Sequence, residues 1–276
     1  MRKCVSMPAA YPPLPSLPPR TRRAWRLGST SYVHPDDILP NAESLAGQVE
    51  DIELVLFESP ESANLPSPAV VERLAELGHA HGMTYSIHLP IDRDLGDPDP
   101  AVRRAFTRQA LRILDLLAPL PAPVVILHLQ GIEPDDTPAR VRQWQDDVSV
   151  EIERLLAAGV DPRRLCVENL RNPFEWNGPV VERFDLSVCV DVGHLWLQNR
   201  DAVAHLRRYL PRVRAVHLHG ERDGKDHLSL AQCDPVRLRA FVRALDACAY
   251  DGLVSLEVFS FDDTATSIDR LKGLLP

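Results

Sequence analysis

The chain has 276 residues, 45% of them hydrophobic and 25% charged, with a formal net charge of -8. That is an ordinary globular composition, long enough to bury one large core. The acidic balance argues against duplex DNA or an anionic membrane surface as partner, because both select for a basic footprint, and no apolar run reaches membrane-spanning length.

The N-terminus, MRKCVSMPAAYPPLPSLPPRTRR, is basic and rich in proline and lacks the continuous apolar stretch of a secretory signal. Residues 1–24 are therefore expected to form a flexible arm, and residues 25–276 a single domain. Eight short apolar runs follow in order: RLGSTSYV, DIELVLFE, TYSIHLP, VVILHLQ, RLCVENL, SVCVDVGH, RAVHLHG and LVSLEVFS. Each reads as a buried strand.

Helical patterns separate these runs. Ser67 followed by Pro68 marks a helix start, and apolar periodicity carries that helix to His79. Further helices are predicted over Ala101–Leu117, Thr137–Ala158, Pro235–Leu245 and Thr264–Leu275, with a weak one near Val180–Phe184. YVHPDDILPN reads as the loop after the first strand, with Asp36 or Asp37 as a helix cap. Neither GxGxxG nor GxxxxGK[ST] occurs, so a phosphate-cradling loop is not expected. Strands alternating with helices favour a (β/α)8 barrel; an open doubly wound sheet is the second choice. The five cysteines form no CxxC pair. Reduced, mostly buried thiols and a cytoplasmic location are expected.

The ionisable residues cluster at strand ends. His88, His128, Glu168, Asp191, His217, His219 and Glu257 end predicted strands, while His194 and His227 follow shortly after. A lone histidine there is most often a satisfied structural residue. A barrel, however, brings all these ends to one rim, where catalytic groups of this fold gather. So many imidazoles and carboxylates in one place call for cations. The mixed His, Asp and Glu set suits zinc, manganese or iron better than calcium or magnesium, with one to three ions per chain and zinc or manganese foremost. Clustered divalent ions suit phosphoester hydrolysis.

These residues resemble the xylose-isomerase-like TIM-barrel superfamily, which includes endonuclease IV. Glu168 in VEN, Asp191-Val192-Gly193-His194, His217 and Glu257 match its four-strand metal core. His88, His128 and His227 match the further histidines of the endonuclease IV-like members. The resemblance implies metal ligation by His88, His128, Glu168, Asp191, His194, His217, His227 and Glu257, with Glu168, Glu257 and Asp226 in catalysis. Two positions depart from the pattern. The aspartate of the late Asp-x-His falls on Lys225, so either Asp226 substitutes or one metal is bound differently or lost. His219 has no counterpart; it is read as an extra ligand, a substrate contact or a supporting partner.

The runs RLGSTSYVHPDDILPNAESLAGQVEDIELVLFES and YSIHLPID are similar to those of the cobamide-remodelling phosphodiesterases of the same superfamily. That resemblance implies hydrolysis of the nucleotide-loop phosphodiester of a cobamide. A small-molecule substrate is implied, with no nucleic acid and no membrane as partner. His219, Tyr32, Trp196 and Lys225 are the expected substrate contacts, with Phe57 and Phe259 as further aromatic cover. Glu58 is either a carboxylate at the site or a solvated strand end. The alternative is a metal-dependent sugar or sugar-phosphate isomerase or epimerase, with Glu168 and Glu257 as the acid–base pair.

Overall fold

The computed structural model describes residues 11–20, 23–59 and 61–275. Eight parallel strands close into a barrel: β1 (Arg26–Thr30), β2 (Asp51–Val55), β3 (Thr84–His88), β4 (Val124–Leu127), β5 (Leu165–Glu168), β6 (Ser187–Asp191), β7 (Val213–Leu218) and β10 (Leu253–Leu256). β1 pairs with both β2 and β10, which closes the ring. A short antiparallel hairpin, β8 (Gly220–Arg222) and β9 (Lys225–Leu228), follows β7. The single-domain (β/α)8 barrel expected from the alternation is thus the observed fold.

Most predicted helices appear within a few residues of their expected bounds. These are α2 (Pro68–His81), α3 (Pro100–Leu116), α4 (Pro138–Ala157), α5 (Gly178–Arg183), α8 (Pro235–Ala247) and α9 (Phe261–Lys272). The caps work as their chemistry requires: Ser67 Oγ accepts from Val70 N–H and Thr137 Oγ1 from Arg140 N–H. Three helices went unpredicted: α1 (Ile38–Leu45), α6 (Val192–Leu197) and α7 (Ala202–Tyr209). α1 begins inside the stretch read as a loop, directly after Asp37, and runs four residues past it. Asp37 holds its N-cap position but its side chain makes no cap bond. Asn41 instead donates to the carbonyls of His34, Asp36 and Asp37.

The run SVCVDVGH is not strand throughout. β6 stops at Asp191, whose carboxylate accepts from His194 N–H at 2.6 Å and so caps α6. Residues 11–20 of the proline-rich segment lie beside the barrel; Leu14 N–H donates to Gln48 Oε1, and Tyr11 stacks on His34 at 3.6 Å between ring centroids. Residues 1–10, including Cys4, and residues 21–22 lie outside the described residues. Cys166, Cys189 and Cys233 are buried free thiols, and Cys248 is a half-buried one.

The interior of the barrel explains where the chemistry sits. Side chains alternate in and out along a strand with period two. Ile126, Cys166, Cys189 and Ala215 face one another in a small apolar cluster inside the ring. Two residues further on, the same inward positions carry His128, Glu168, Asp191 and His217. The layer below is apolar and the layer above is charged.

Candidate metal centre

Three groups of side chains share the upper rim. In the first, His128 Nε2 lies 3.1 Å from Glu168 Oε2 and His88 Nε2 lies 3.8 Å from the same oxygen. In the second, His217 Nδ1 lies 3.1 Å from Glu257 Oε2, 3.4 Å from Glu168 Oε2 and 3.8 Å from Asp191 Oδ2. Glu168 therefore belongs to both. The third group is more open: His194 Nε2 lies 3.7 Å from Asp226 Oδ2, and the His194 and His227 ring centroids are 5.7 Å apart.

Local backbone structure fixes these positions. Asn169, directly after Glu168, clamps the end of β6 with a pair of hydrogen bonds: Nδ2 donates to Asp191 O, and Oδ1 accepts from Asp191 N–H. His227 adopts a left-handed conformation with φ 52°, which turns the hairpin back over the rim. Its Nδ1 then reaches the Glu257 carbonyl at 3.1 Å.

The charge balance is the reason to invoke cations. Glu53, Glu168, Asp191 and Glu257 are all buried, and among the described residues only histidines lie within ion-pair distance of them. No lysine or arginine among those residues compensates. Glu257 Oε2, both nitrogens of His217 and His128 Nδ1 are buried without a hydrogen-bond partner. Such groups are costly unless something else engages them. Ligand atoms within each of two sets, His88–His128–Glu168 and Glu168–Asp191–His217–Glu257, lie within 4.8 Å of one another. Mixed imidazole and carboxylate donors at this separation fit divalent transition metals.

The titration behaviour follows from the same crowding. Burial alone would raise the Glu168 carboxyl, but His128 and His217 outweigh it and hold the group well below its usual range. Asp191 is likewise held down, by His219 and His194 against its burial. Burial would lower His194, yet the Asp191 and Glu168 carboxylates push it up to about 10. Metal ions bind in competition with such protons.

The structure brings together all eight expected ligands and Asp226. It bears on three other expectations, and for His219 it favours the supporting-partner alternative. His219 is fully buried, so it does not touch a substrate: its Nδ1 accepts from His227 N–H at 2.9 Å and its Nε2 lies 3.1 Å from both Asp191 oxygens. With both nitrogens engaged inside the chain, it supports Asp191 and the hairpin, although it lies close to His194 and His227. Trp196 is not at the rim; it is buried and borders an outer depression with Asn199, Arg200 and Arg237. Glu58 pairs with Arg112 and accepts from Gln109 Nε2, away from the ligands. Lys225 is exposed on the hairpin.

Glu53 in β2 and Asn169 were missed by sequence reasoning. Glu53 carried a signal: a carboxylate in the middle of the apolar run DIELVLF has to face something.

Two depressions border the centre. A cleft of about 660 Å³ is lined by His128, His194 and Asp226 together with Gln130, Arg140 and Arg171, among others. On the other side, Tyr32, Phe57, Phe259 and Phe261 line a groove of similar volume, about 660 Å³. Phe259 also packs edge-on against His227, at 5.4 Å between centroids. Among the described residues, no helix is long and apolar enough to cross a membrane.

Comparison with known proteins gives the following. Residues 46–274 match the family model described as a xylose isomerase-like TIM barrel. A D-tagatose 3-epimerase-like protein superposes with a TM-score of 0.72 at 20% identity, covering 90% of this chain and 96% of the other. For 3-keto-D-glucoside 4-epimerase from E. coli the values are 0.70 and 15%, covering 91% and 98%. Endonuclease IV from Thermus thermophilus gives 0.61 at 24% identity, covering 84% and 91%. At these identities the likeness is one of fold. A comparison with curated protein sequences gave no match.

Proposed function

This chain belongs to the xylose isomerase-like TIM barrel family, and we propose that within it the protein is a metal-dependent phosphodiesterase acting on a cobamide. The observation that carries the hydrolase reading is the pair of histidine groups outside the four-ligand core. His88 and His128 face Glu168 on one side, and His194 and His227 stand beside Asp226 on the other. Shifting a proton next to a carbonyl calls for one ion, which the quartet of Glu168, Asp191, His217 and Glu257 can hold without His88 and His128.

Divalent ions held by these residues would act as Lewis acids and neutralise charge developing on phosphoryl oxygens. The chain's own groups do the rest. Glu168 reaches both the His128 and the His217 side and fixes the spacing of the centre. Glu257 closes the opposite side against His217. Asp226 is the one partly exposed carboxylate of the set, facing the 660 Å³ cleft, and is assigned to take a proton from the attacking water. Arg171, also lining that cleft, supplies positive charge for the phosphate.

The cobamide reading rests on the N-terminal runs quoted above and on space: a cleft and an aromatic groove flank the centre and suit a bulky ligand. Its test is incubation of the metal-loaded protein with adenosylcobalamin, followed by chromatography. Loss of the lower ligand is expected; an intact cobamide with two or three ions bound per chain would remove the substrate assignment.

One observation favours the epimerase alternative. Glu168, Asp191, His217 and Glu257 form a complete buried quartet by themselves. In that reading one ion is bound per chain, and substituting His88 or His128 leaves metal content unchanged.

A further inference from the structure

We propose that Glu53 is a positioning residue of the metal centre: it holds the His217 ring with Nε2 protonated, so that Nδ1 is the nitrogen presented to the cation. Neither resemblance described above assigns this residue a role. The inference rests on the metal-centre reading and deepens it.

Glu53 lies in the middle of β2, in register with Thr30 of β1 and Ser86 of β3. His217 lies in β7, in register with Ser255 of β10 and Asp191 of β6. In the ring, β1 and β10 stand between the two strands. The two side chains therefore meet across the barrel interior, and Glu53 Oε2 comes to 3.1 Å from His217 Nε2. Both residues are 0% exposed.

The other face of the ring is already committed. His217 Nδ1 points at the Glu257, Glu168 and Asp191 carboxylates. A cation held by those three would have Nδ1 beside it as a further donor, and Nε2–H would then need an acceptor. Glu53 is that acceptor. Neither Glu53 oxygen nor His217 Nε2 has any hydrogen-bond partner, the two groups stand 3.1 Å apart, and no lysine or arginine lies within ion-pair distance of Glu53 among the described residues. A bare carboxylate sealed in a barrel is too costly to keep without such a task. A ligating imidazole whose second nitrogen donates to a carboxylate gains a fixed tautomer, a fixed orientation and greater basicity.

Glu53 also lies near His88 and Glu257, close enough for the three to hold an ion themselves. The 3.1 Å approach to His217 Nε2 favours the positioning role, and the experiment separates the two.

The test uses the full chain, stripped of metal and reloaded with cobalt(II), and the variants Glu53→Gln and Glu53→Ala. Three readouts are taken: cobalt per chain at saturation, cobalt affinity by chelator competition, and proton NMR of the cobalt-bound protein. The unsubstituted chain should show an exchangeable, strongly shifted ring N–H that exchanges slowly with solvent. Glu53→Ala should keep the same cobalt count, lose affinity by about 10–100-fold and lose that signal or its protection. Glu53→Gln, which keeps an acceptor oxygen, should recover most of the affinity. If Glu53→Ala does not fold, the glutamine variant and the N–H signal still decide the question. Loss of one whole cobalt ion per chain would make Glu53 a ligand and overturn the proposal, as would unchanged affinity with an unchanged N–H signal. A native chain that binds no cobalt would instead overturn the metal-centre reading beneath it.

Discussion

Gly193 and His219 pack so closely that a Cβ on residue 193 would lie 2.0 Å from His219 Cε1. His219 cannot give way, because it is fully buried and held at both nitrogens by His227 N–H and Asp191. The glycine of Asp-Val-Gly-His is therefore a space requirement of the candidate metal centre. Gly193→Ala is expected to cost about 1–3 kcal/mol in overpacking and to lower metal content. Thermal unfolding and elemental analysis check both; full metal content in the variant would count against the role given to His219.

Replacing both His88 and His128 with alanine removes two of the three donors of the first group and leaves the buried quartet intact. A loss of one ion per chain is expected, with hydrolysis of the phosphodiester falling by roughly 100-fold or more. Unchanged metal content, measured by elemental analysis, would point to the epimerase alternative.

His205 gives a pH dependence away from the metal centre. It packs between Phe174 and Tyr209, at 5.2 and 4.8 Å between ring centroids. Burial lowers it from 6.5 to about 4. The folded state thus favours the neutral ring. This contribution to stability is fully present above pH 6.5 and is lost as pH falls towards 4. The melting temperature should decline over that window. His205→Phe should make the decline shallower; an identical slope in both proteins would refute the assignment.

Asp51 sits at the other end of the barrel and tests stability alone. Its carboxylate accepts from Ser86 N–H and Ser86 Oγ, at 3.1 and 2.6 Å, and lies 3.4 Å from Arg26 Nη2. Asp51→Ala strands these partners in a buried site and is expected to cost about 3–5 kcal/mol. Chemical denaturation measures this, and metal content per folded chain should not change.

Phe259 is 45% exposed beside His227 and Tyr32, in the groove assigned to the substrate. Phe259→Ala should raise KM for the cobamide several-fold with kcat nearly unchanged. A fall in kcat alone would place the ring in the chemistry rather than in binding.

The barrel and most of its centre are legible in the order of the residues. Alternation of apolar runs with capped amphipathic helices leaves few other folds. Period-two alternation then puts every strand-end His, Asp and Glu of one parity on one rim, so the candidate ligands could be named without coordinates. Even the hairpin histidine and Asp226 were legible, because short connections keep them near β7.

Contacts between strands that are not neighbours along the chain lie beyond such reading. Glu53 meets His217 only because the closed ring brings β2 and β7 within side-chain reach. Glu58, five residues later, is drawn instead to Arg112 on α3. His219 shares the parity of His217, yet it is turned against Gly193 and Asp191 because the hairpin supplies an N–H to its other nitrogen. Trp196 belongs to the core because β6 ends at Asp191 and α6 turns that side chain away from the rim. Parity fixes which face a side chain takes; only closure of the barrel and the path of its loops decide which partner waits there.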